Sequence, residues 1–550
     1  MLILQIRDIK KSFGDRLLFD IKNLSVDSED KIGIVGLNGT GKTTLMDILS
    51  KTLVPDEGCV DIYGSYSYIT QLDYSFNEKP SARVASLFKV PINHSNFMSG
   101  GEKTRLKIAN SLSGKTNIIF ADEPTSNLDI EGIKLLEEKL LAHKGALVLI
   151  SHDRFFLDKL CNKIIELENG KIKIYNGNYS FYKKHKQLER ERQSIEYVQF
   201  IRDKRGLEEA IVDRKHHKDT MRKTPKRMGN SEARLHRLGN QKAEKNVDNA
   251  AKSLKSRLEK LEIKDKPLDI YMTKVDVQKT ERLHSKILIK GSRLSKSFGS
   301  RKIFKNANFQ IGNGWKVALI GNNGCGKSTL IRMIMDKDSN ISSSSTLKIG
   351  YFNQDLSILD EEKSILENVI RESVYDETFV RILLARLLIR GEDIHKKINF
   401  LSGGERVKVS FAKIFASDIN MLILDEPTNY LDIYSSEAIE TALKEFKGTI
   451  LFVSHDRKFI SEVADHLMII NNNKIEAFSG GYNEYLRKQN EESQGSNQKD
   501  RRLIIENKIS EVLGKISMPS KKDNVELLDL KYKDLIKELK DIKNLDCKLK

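Results

Sequence analysis

Apolar positions along the chain fall into two kinds of pattern. Short unbroken runs at 31–35 and 317–320 end in glycine-rich turns and predict strands buried on both faces. The stretches 43–49 and 328–335 that follow predict helices. Two further apolar runs, 117–121 and 421–424, predict buried strands, each ending in an acidic pair. The second pattern is helical. Residues 181–218 are charged and free of proline, which predicts one long helix. Val247, Ala251, Leu254, Leu258 and Leu261 then recur at spacings of four and three, a heptad seam. Leu188, Ile195, Val198, Leu207 and Ile211 offer a less regular partner stripe on the first helix. Pro225 and Gly229 break the pattern between the two, so an antiparallel hairpin with arms of about 50 Å is expected.

The strand–turn–helix pattern occurs twice because the sequence repeats itself. KKSFGDRLLF (10–19) returns as SKSFGSRKIF (295–304), and GLNGTGKTTL (36–45) as GNNGCGKSTL (321–330). MSGGE (98–102) returns as LSGGE (401–405), IIFADEPTSNLD (118–129) as LILDEPTNYLD (422–432), and ISHDRFF (150–156) as VSHDRKF (453–459). The offset is 285 at Lys42 and Lys327 but 303 at Asp122 and Asp425. Only 28 residues separate Gln71 from Ser99, whereas 48 separate Gln354 from Ser402. The second copy therefore carries extra chain around 361–397.

Each copy holds a glycine-rich loop of the form GxxxxGK[ST]. In the first it is Gly36, Leu37, Asn38, Gly39, Thr40, Gly41, Lys42, Thr43 and Thr44. In the second it is Gly321, Asn322, Asn323, Gly324, Cys325, Gly326, Lys327, Ser328 and Thr329. Glycines let backbone N–H groups turn inward around a phosphate, and the next helix adds its positive dipole end. Lys42 and Lys327 are placed to reach the β- and γ-phosphates of ATP. Thr43 and Ser328 are placed to ligate Mg²⁺. Asp122-Glu123 and Asp425-Glu426 supply one carboxylate for the metal and one to polarise an attacking water. His152 and His455 can sense a γ-phosphate as neutral imidazoles. Gln71 and Gln354 can orient water or metal. Phe13 and Phe298, each 23 residues before its loop, either stack on a base or fill the core.

Charge adds a partner class. The chain of 550 residues carries net charge +17, and residues 181–270 alone carry 25 basic against 15 acidic side chains. Nine of the basic residues lie between Arg214 and Arg237, against two acidic ones. Arg222, Lys223, Lys226, Arg227, Arg234 and Arg237 at this tip suit an RNA phosphate backbone, although a solvated charged loop has the same composition. No apolar run approaches the roughly 18 residues of a membrane span, which excludes a pore-forming chain. A signal peptide is not expected, and Cys59, Cys161, Cys325 and Cys547 form no CxxC pair, so reduced cytosolic thiols are expected. The tail from 489 starts polar, and two apolar stripes flank MPSKKDN, which predicts a smaller helical hairpin.

The SGGE stretch between glutamine and acidic pair, followed by SNLD or NYLD, resembles the ABC ATPase superfamily. The resemblance implies an α/β fold of two tandem P-loop ATPase domains, 1–180 and 284–488. A helical linker (181–283, basic tip about 214–238) and a C-terminal helical extension (489–550) complete the plan. It further implies that the two domains close head to tail on two ATPs. Lys42, Thr43, Gln71, Asp122, Glu123 and His152 would then face Ser402, Gly403 and Gly404, while Lys327, Ser328, Gln354, Asp425, Glu426 and His455 would face Ser99, Gly100 and Gly101. Tandem ATPase domains with a long basic linker and no membrane span resemble the ABC-F family. The missing arm between Gln71 and Ser99 and the long linker resemble its antibiotic-resistance branch, the Vga, Lsa and Vml type; the longer tail is nearest to Vml. That resemblance implies a cytoplasmic monomer without membrane or DNA partners. Its ATP-bound form would occupy the E site of the 70S ribosome and push the linker between P-site tRNA and 23S rRNA. Pleuromutilin, lincosamide or streptogramin A drugs would be displaced, and hydrolysis would release the protein. A general translation or ribosome-assembly ATPase, and the ATPase subunit of a membrane transporter, are the alternatives.

Overall fold

The computed structural model describes the chain except for residues 15, 71–79, 89, 91–99, 223–229, 263, 265–284, 354–357, 430, 490, 492–507, 511, 514–529 and 538–550; for 217–222 and 230–244 it describes the backbone alone. The chain divides into two units by its contacts. The first comprises Met1–Ser126, Lys134–Asp276 and Asp432–Tyr434; the second comprises Asn127–Ile133, Val277–Leu431 and Ser435–Lys550.

In the first unit the elements run β1 (Leu2–Phe13), β2 (Arg16–Asp27), β3 (Lys31–Val35), α1 (Lys42–Leu49), β4 (Glu57–Ile62), β5 (Tyr66–Ile69), α2 (Ala82–Leu87), α3 (Gly100–Ser111), β6 (Ile118–Asp122), α4 (Ile130–Ala142), β7 (Ala146–Ile150), α5 (Arg154–Leu160), β8 (Lys163–Glu168), β9 (Lys171–Tyr175), α6 (Tyr179–Arg222) and α7 (Asn230–Glu259). A six-stranded sheet has the order β5-β6-β7-β3-β8-β9, parallel except for β9. A smaller antiparallel sheet has the order β2-β1-β4. β6 and β7 are buried at every position, because helices cover both faces of a parallel sheet. One apolar core joins the two sheets through α1, with Ile6, Phe19, Leu45, Ile32 and Phe120 among its fully buried members.

The second unit repeats this plan: β10 (Ile287–Phe298), β11 (Arg301–Gly312), β12 (Lys316–Ile320), α8 (Lys327–Met335), β13 (Ile341–Ser343), β14 (Ile349–Phe352), α9 (Ile365–Ile370), α10 (Glu377–Arg386), α11 (Gly403–Ala416), β15 (Met421–Asp425), α12 (Ile433–Glu445), β16 (Thr449–Val453), α13 (Arg457–Val463), β17 (His466–Asn471) and β18 (Lys474–Ser479). Its sheets are β14-β15-β16-β12-β17-β18 and β11-β10-β13. In the stretch around 361–397, α9 matches α2 of the first unit, each a six-residue helix capped by a serine (Ser364, Ser81), and the extra chain that the unequal spacing locates folds as α10 and two 3-10 turns.

α6 and α7 pack along each other, and Lys264, beyond the end of α7, lies 3.6 Å from Glu196 on α6, so the pair is antiparallel. α6 has 44 residues, about 66 Å, more than the expected arm. It is longer because it begins inside the first unit, where Tyr179 and Tyr182 are buried. The seam read on the return helix is half-buried at Val247, Ala251, Leu254, Leu258 and Leu261. The partner stripe read on α6 needs correction. Leu188, Ile195 and Val198 are exposed, while Ser194, Tyr197, Ile201, Leu207, Ala210 and Ile211 are half-buried. Polar and small residues at these positions hide the true seam from a pattern built on aliphatic residues. Of the predicted C-terminal hairpin, residues 508–510, 512–513 and 530–537 are described, and these are helical. The remainder lies outside the described residues.

Candidate functional site

In each unit three adjacent strands, β6-β7-β3 or β15-β16-β12, end at the same sheet edge. Their carboxyl ends carry the acidic pair, the histidine loop and the phosphate loop, the position where ligands meet such sheets. The phosphate loops fold as their glycines dictate. Gly41 and Gly326, immediately before α1 and α8, adopt φ of +96° and +111°. A Cβ at Gly41 would sit 2.5 Å from Leu18 Cδ2, and one at Gly326 would sit 2.4 Å from Ile303 Cγ2. Both conformation and packing therefore demand glycine.

Lys42 is buried, and its ammonium donates to the carbonyls of Gly36 and Leu37, both at 2.9 Å. Burial lowers its pKa, with Glu123, Asp432 and Asp122 opposing. Lys327 donates to the carbonyls of Gly321 (2.7 Å) and Asn322 (3.4 Å). Thr43 is hydrogen-bonded to Asp122, and Ser328 to Asp425; burial raises the pKa of both aspartates. The rest of the loop residues, Asn38, Gly39, Thr40 and Thr44 in one copy and Asn323, Gly324, Cys325 and Thr329 in the other, lie in the same turns and helix starts.

Glu123 and Glu426 take the left-handed region, φ +47° and +50°. That conformation costs a non-glycine residue on the order of 1 kcal/mol. It is held by Glu123 N–H donating to Ile150 O (2.9 Å) and by Ser126, whose amide (3.1 Å) and hydroxyl (2.8 Å) both donate to Glu123 O. In the second unit Glu426 N–H donates to Val453 O at 3.0 Å. His152 Nε2 lies 3.3 Å from Glu123 Oε1, and His455 Nε2 lies 3.4 Å from Glu426 Oε1. Burial, reinforced by the charge of Asp122, pushes Glu123 up to about 8. Burial, opposed by Lys327, pushes Glu426 up to about 7. Burial, reinforced by the neighbouring lysine, pushes both histidines down to about 3 and keeps them neutral.

The SHDR stretches position these histidines. Asp153 N–H donates to Ser151 Oγ (3.1 Å), and the Asp153 carboxylate caps α5 by accepting from Phe156 N–H (3.0 Å). Ser454 and Asp456 repeat the turn ahead of α13. The serines also reach across to the acidic loop: Ser151 and Thr125 hydroxyls are 3.3 Å apart, and Ser454 and Thr428 hydroxyls 3.2 Å.

Sequence reasoning missed two aspartates, although SNLD and NYLD carried the signal. Asp432, in the first unit, accepts from the Asn38 amide at 3.0 Å. Asp129, in the second, accepts from the Asn323 amide at 3.2 Å, and Asn323 Nδ2 donates to Asn127 O at 3.0 Å. Both are buried polar groups on a phosphate loop.

Phe13 and Phe298 stand 58% and 57% exposed, which excludes the core reading; the Lys11 ammonium lies 5.8 Å over the Phe13 ring. Gly100 and Gly101 start α3; Gly403 and Gly404 start α11. Ser402 caps α11 in a reciprocal box with Glu405: the Glu405 amide donates to Ser402 Oγ and the Ser402 amide donates to the Glu405 carboxylate, which explains the SGGE spacing. Gln71, Gln354, Ser99, Lys223, Lys226 and Arg227 lie outside the described residues, as do the side chains of Arg222, Arg234 and Arg237.

The residues fit ATP and Mg²⁺. Asp122 Oδ2 and Glu123 Oε1 are buried without a hydrogen bond. No cluster of three or more His, Cys, Asp or Glu suited to a metal exists among the described residues. One hydroxyl and one carboxylate suit an ion that keeps water and takes most of its oxygens from phosphates. No helix among the described residues is long and apolar enough to cross a membrane.

Comparison with known proteins agrees with this geometry. The family model described as ABC transporter matches residues 19–91 and 304–429. Ribosome protection protein VmlR of Bacillus subtilis is 32% identical over 99% of both chains. Erythromycin resistance ATP-binding protein MsrA of Staphylococcus epidermidis is 34% identical over 82% of this chain and 94% of its own. ABC transporter F family member 5 of Arabidopsis thaliana is 28% identical over 88% of this chain and 77% of its own. Among solved structures, an archaeal ribosome recycling factor shares the fold with TM-score 0.58 at 21% identity, covering 88% of this chain and 92% of that one. RNase-L inhibitor does so with TM-score 0.59 at 20% identity and the same coverage. With two tandem α/β ATPase domains and end-to-end relatives of this kind, the chain belongs to the ABC-F family and is an ATP hydrolase.

Proposed function

We propose that the protein protects the bacterial ribosome from drugs in an ATP-dependent cycle. The observation that carries this reading is the match to ribosome protection protein VmlR over 99% of both chains, which spans the linker helices and the tail as well as the ATPase domains. The two sites supply the cycle. Lys42 and Lys327 hold phosphates; Thr43 with Asp122, and Ser328 with Asp425, hold Mg²⁺, which neutralises phosphate charge when bound. Glu123 and Glu426, with pKa values raised toward 7–8, accept a proton from the attacking water near neutral pH. Gln71 and Gln354 orient that water, and Phe13 and Phe298 stack on the base. Ser402, Gly403 and Gly404 complete the first site, and Ser99, Gly100 and Gly101 the second, when the domains close.

Closure on two ATPs favours binding at the E site of the 70S ribosome in the cytoplasm. Differential affinity for the closed state drives the arm, since a ligand shifts an equilibrium only by what it gains in one state. Arg222, Lys223, Lys226, Arg227, Arg234 and Arg237 at the tip then enter the cleft between P-site tRNA and 23S rRNA near the peptidyl transferase centre. Drugs of the pleuromutilin, lincosamide and streptogramin A classes leave, and hydrolysis releases the protein. Expression in a sensitive Gram-positive host tests this by inhibitory concentrations for those three classes, with erythromycin included because one relative bears its name. A rise for at least one class, lost on shortening 224–238, is expected; unchanged values for all four drugs contradict the reading.

A further inference from the structure

Glu166, on β8 and paired with Val35 of β3, is 2% exposed and is the meeting point of four donors. Its Oε1 accepts from Tyr182 OH (2.7 Å) and Tyr434 OH (3.0 Å). Its Oε2 accepts from Lys186 Nζ (2.8 Å) and Tyr175 OH (3.2 Å). The Tyr182 and Tyr434 hydroxyls are themselves 2.5 Å apart. Tyr182 and Lys186 stand on the first three turns of α6, and the Arg190 guanidinium of the fourth turn lies 5.0 Å over the Tyr434 ring. A buried carboxylate is tolerated only while such partners stay in place. The foot of α6 therefore cannot turn without breaking charge-assisted hydrogen bonds.

Tyr434 is two residues from Asp432, whose carboxylate accepts from the Asn38 amide in the first phosphate loop at 3.0 Å. One three-residue segment of the first unit thus touches the nucleotide loop at one end and the root of the linker helix at the other.

The repeat supplies an internal control. At the corresponding positions of the second copy, 303 residues on, Glu166 becomes Ile469, Tyr175 becomes Phe478 and Lys186 becomes Gln489; the position matching Tyr434 in the first copy is Glu131. Tyr485, matching Tyr182, packs edge-on against Phe478 at 5.6 Å, as Tyr182 does against Tyr175 at 5.0 Å. The helix there is described over 482–489, against 44 residues for α6. The buried carboxylate of this joint, Glu166, has the apolar Ile469 as its counterpart, so this joint belongs to the copy whose helix becomes the long arm.

We propose that Tyr434 and Tyr182, meeting on Glu166, are positioning residues that transmit the state of the first phosphate loop to the pose of the linker helices. The inference rests on ATP binding alone and not on the ribosome reading, so the two fail separately. The test uses the full-length chain with its four cysteines replaced and the Glu123→Gln/Glu426→Gln substitutions to hold ATP. Nitroxides go at exposed Val54 of the first unit and exposed Val198 of α6, and their distance distribution is measured by pulsed electron spin resonance with and without Mg-ATP. The parent is expected to show an ATP-dependent shift. Tyr182→Phe/Tyr434→Phe keeps the rings, removes both hydroxyls, and is expected to lose most of that shift while ATP affinity changes less than threefold. Tyr485→Phe, at the counterpart position, should leave it intact. Should the double variant fail to fold, Tyr434→Phe alone leaves Glu166 three donors and reads the same shift. A shift of parental size in a folded Tyr434→Phe variant, or no shift in the parent, overturns the proposal.

Discussion

At the residue scale the proposed chemistry turns on two glutamates in an unfavourable backbone conformation and an unfavourable dielectric. Glu123→Gln with Glu426→Gln should bind ATP with near-parental affinity yet hydrolyse it at least a hundredfold more slowly, since general-base contributions run to 10²–10⁴. Steady-state phosphate release and equilibrium nucleotide binding check the two halves. The same carboxylates set a pH dependence. Between the unfolded value of 4.5 and the folded values of about 8 and about 7, folded Glu123 and Glu426 hold more protons than the unfolded chain, so stability falls as pH rises through that window. His152 and His455 act oppositely: lowered from 6.5 to about 3, they make stability rise with pH up to about 6.5. Above pH 6.5 the loss from the glutamates outweighs what the half-titrated histidines still return. Nucleotide-free protein in chelator should therefore lose on the order of 2 kcal/mol between pH 6.5 and 8.5, and the double glutamine variant should not. Urea midpoints at both pH values decide it; parallel losses in the two proteins contradict the buried-carboxylate account.

At the element scale, each functional side chain is aimed by a short local device. Gly41→Ala would place its Cβ against Leu18 in a left-handed conformation, so ATP affinity should fall at least tenfold, with Gly41→Ala/Leu18→Ala recovering only the packing part. Isothermal titration with a slowly hydrolysed ATP analogue checks it. Much of this layer was legible in the chain, because phosphate loops, capping boxes and SHDR turns are contiguous and their geometry is dictated by residue type. Glu123 at positive φ was not legible, since the strain is imposed by hydrogen bonds to β7 and not by Glu123 itself. Asp129 and Asp432 were visible as repeated motifs, but their partners lie nearly 200 and 400 residues away in sequence. The seam of α6 was misread because Ser194, Tyr197 and Ala210 carry it alongside aliphatic residues, and three aliphatic residues outside it are exposed. The Glu166 joint was invisible to pattern reading, since buried polar clusters have no periodicity.

At the scale of the whole molecule, a duplicated ATPase fold is joined to a long charge-rich helix pair in a chain of net charge +17. Residues 181–270 concentrate the excess, so ribosome affinity should fall steeply with salt, by at least tenfold between 50 and 200 mM, if several tip residues contact phosphates. Binding measured across that range checks it, and a flat response contradicts an electrostatic role for the arm. The central claim is that ATP-bound closure is the ribosome-binding state. It is tested most directly by sedimenting the Glu123→Gln/Glu426→Gln variant with 70S ribosomes. Co-pelleting with Mg-ATP and release without it is the predicted result; a folded, ATP-loaded variant that stays in the supernatant would contradict the account.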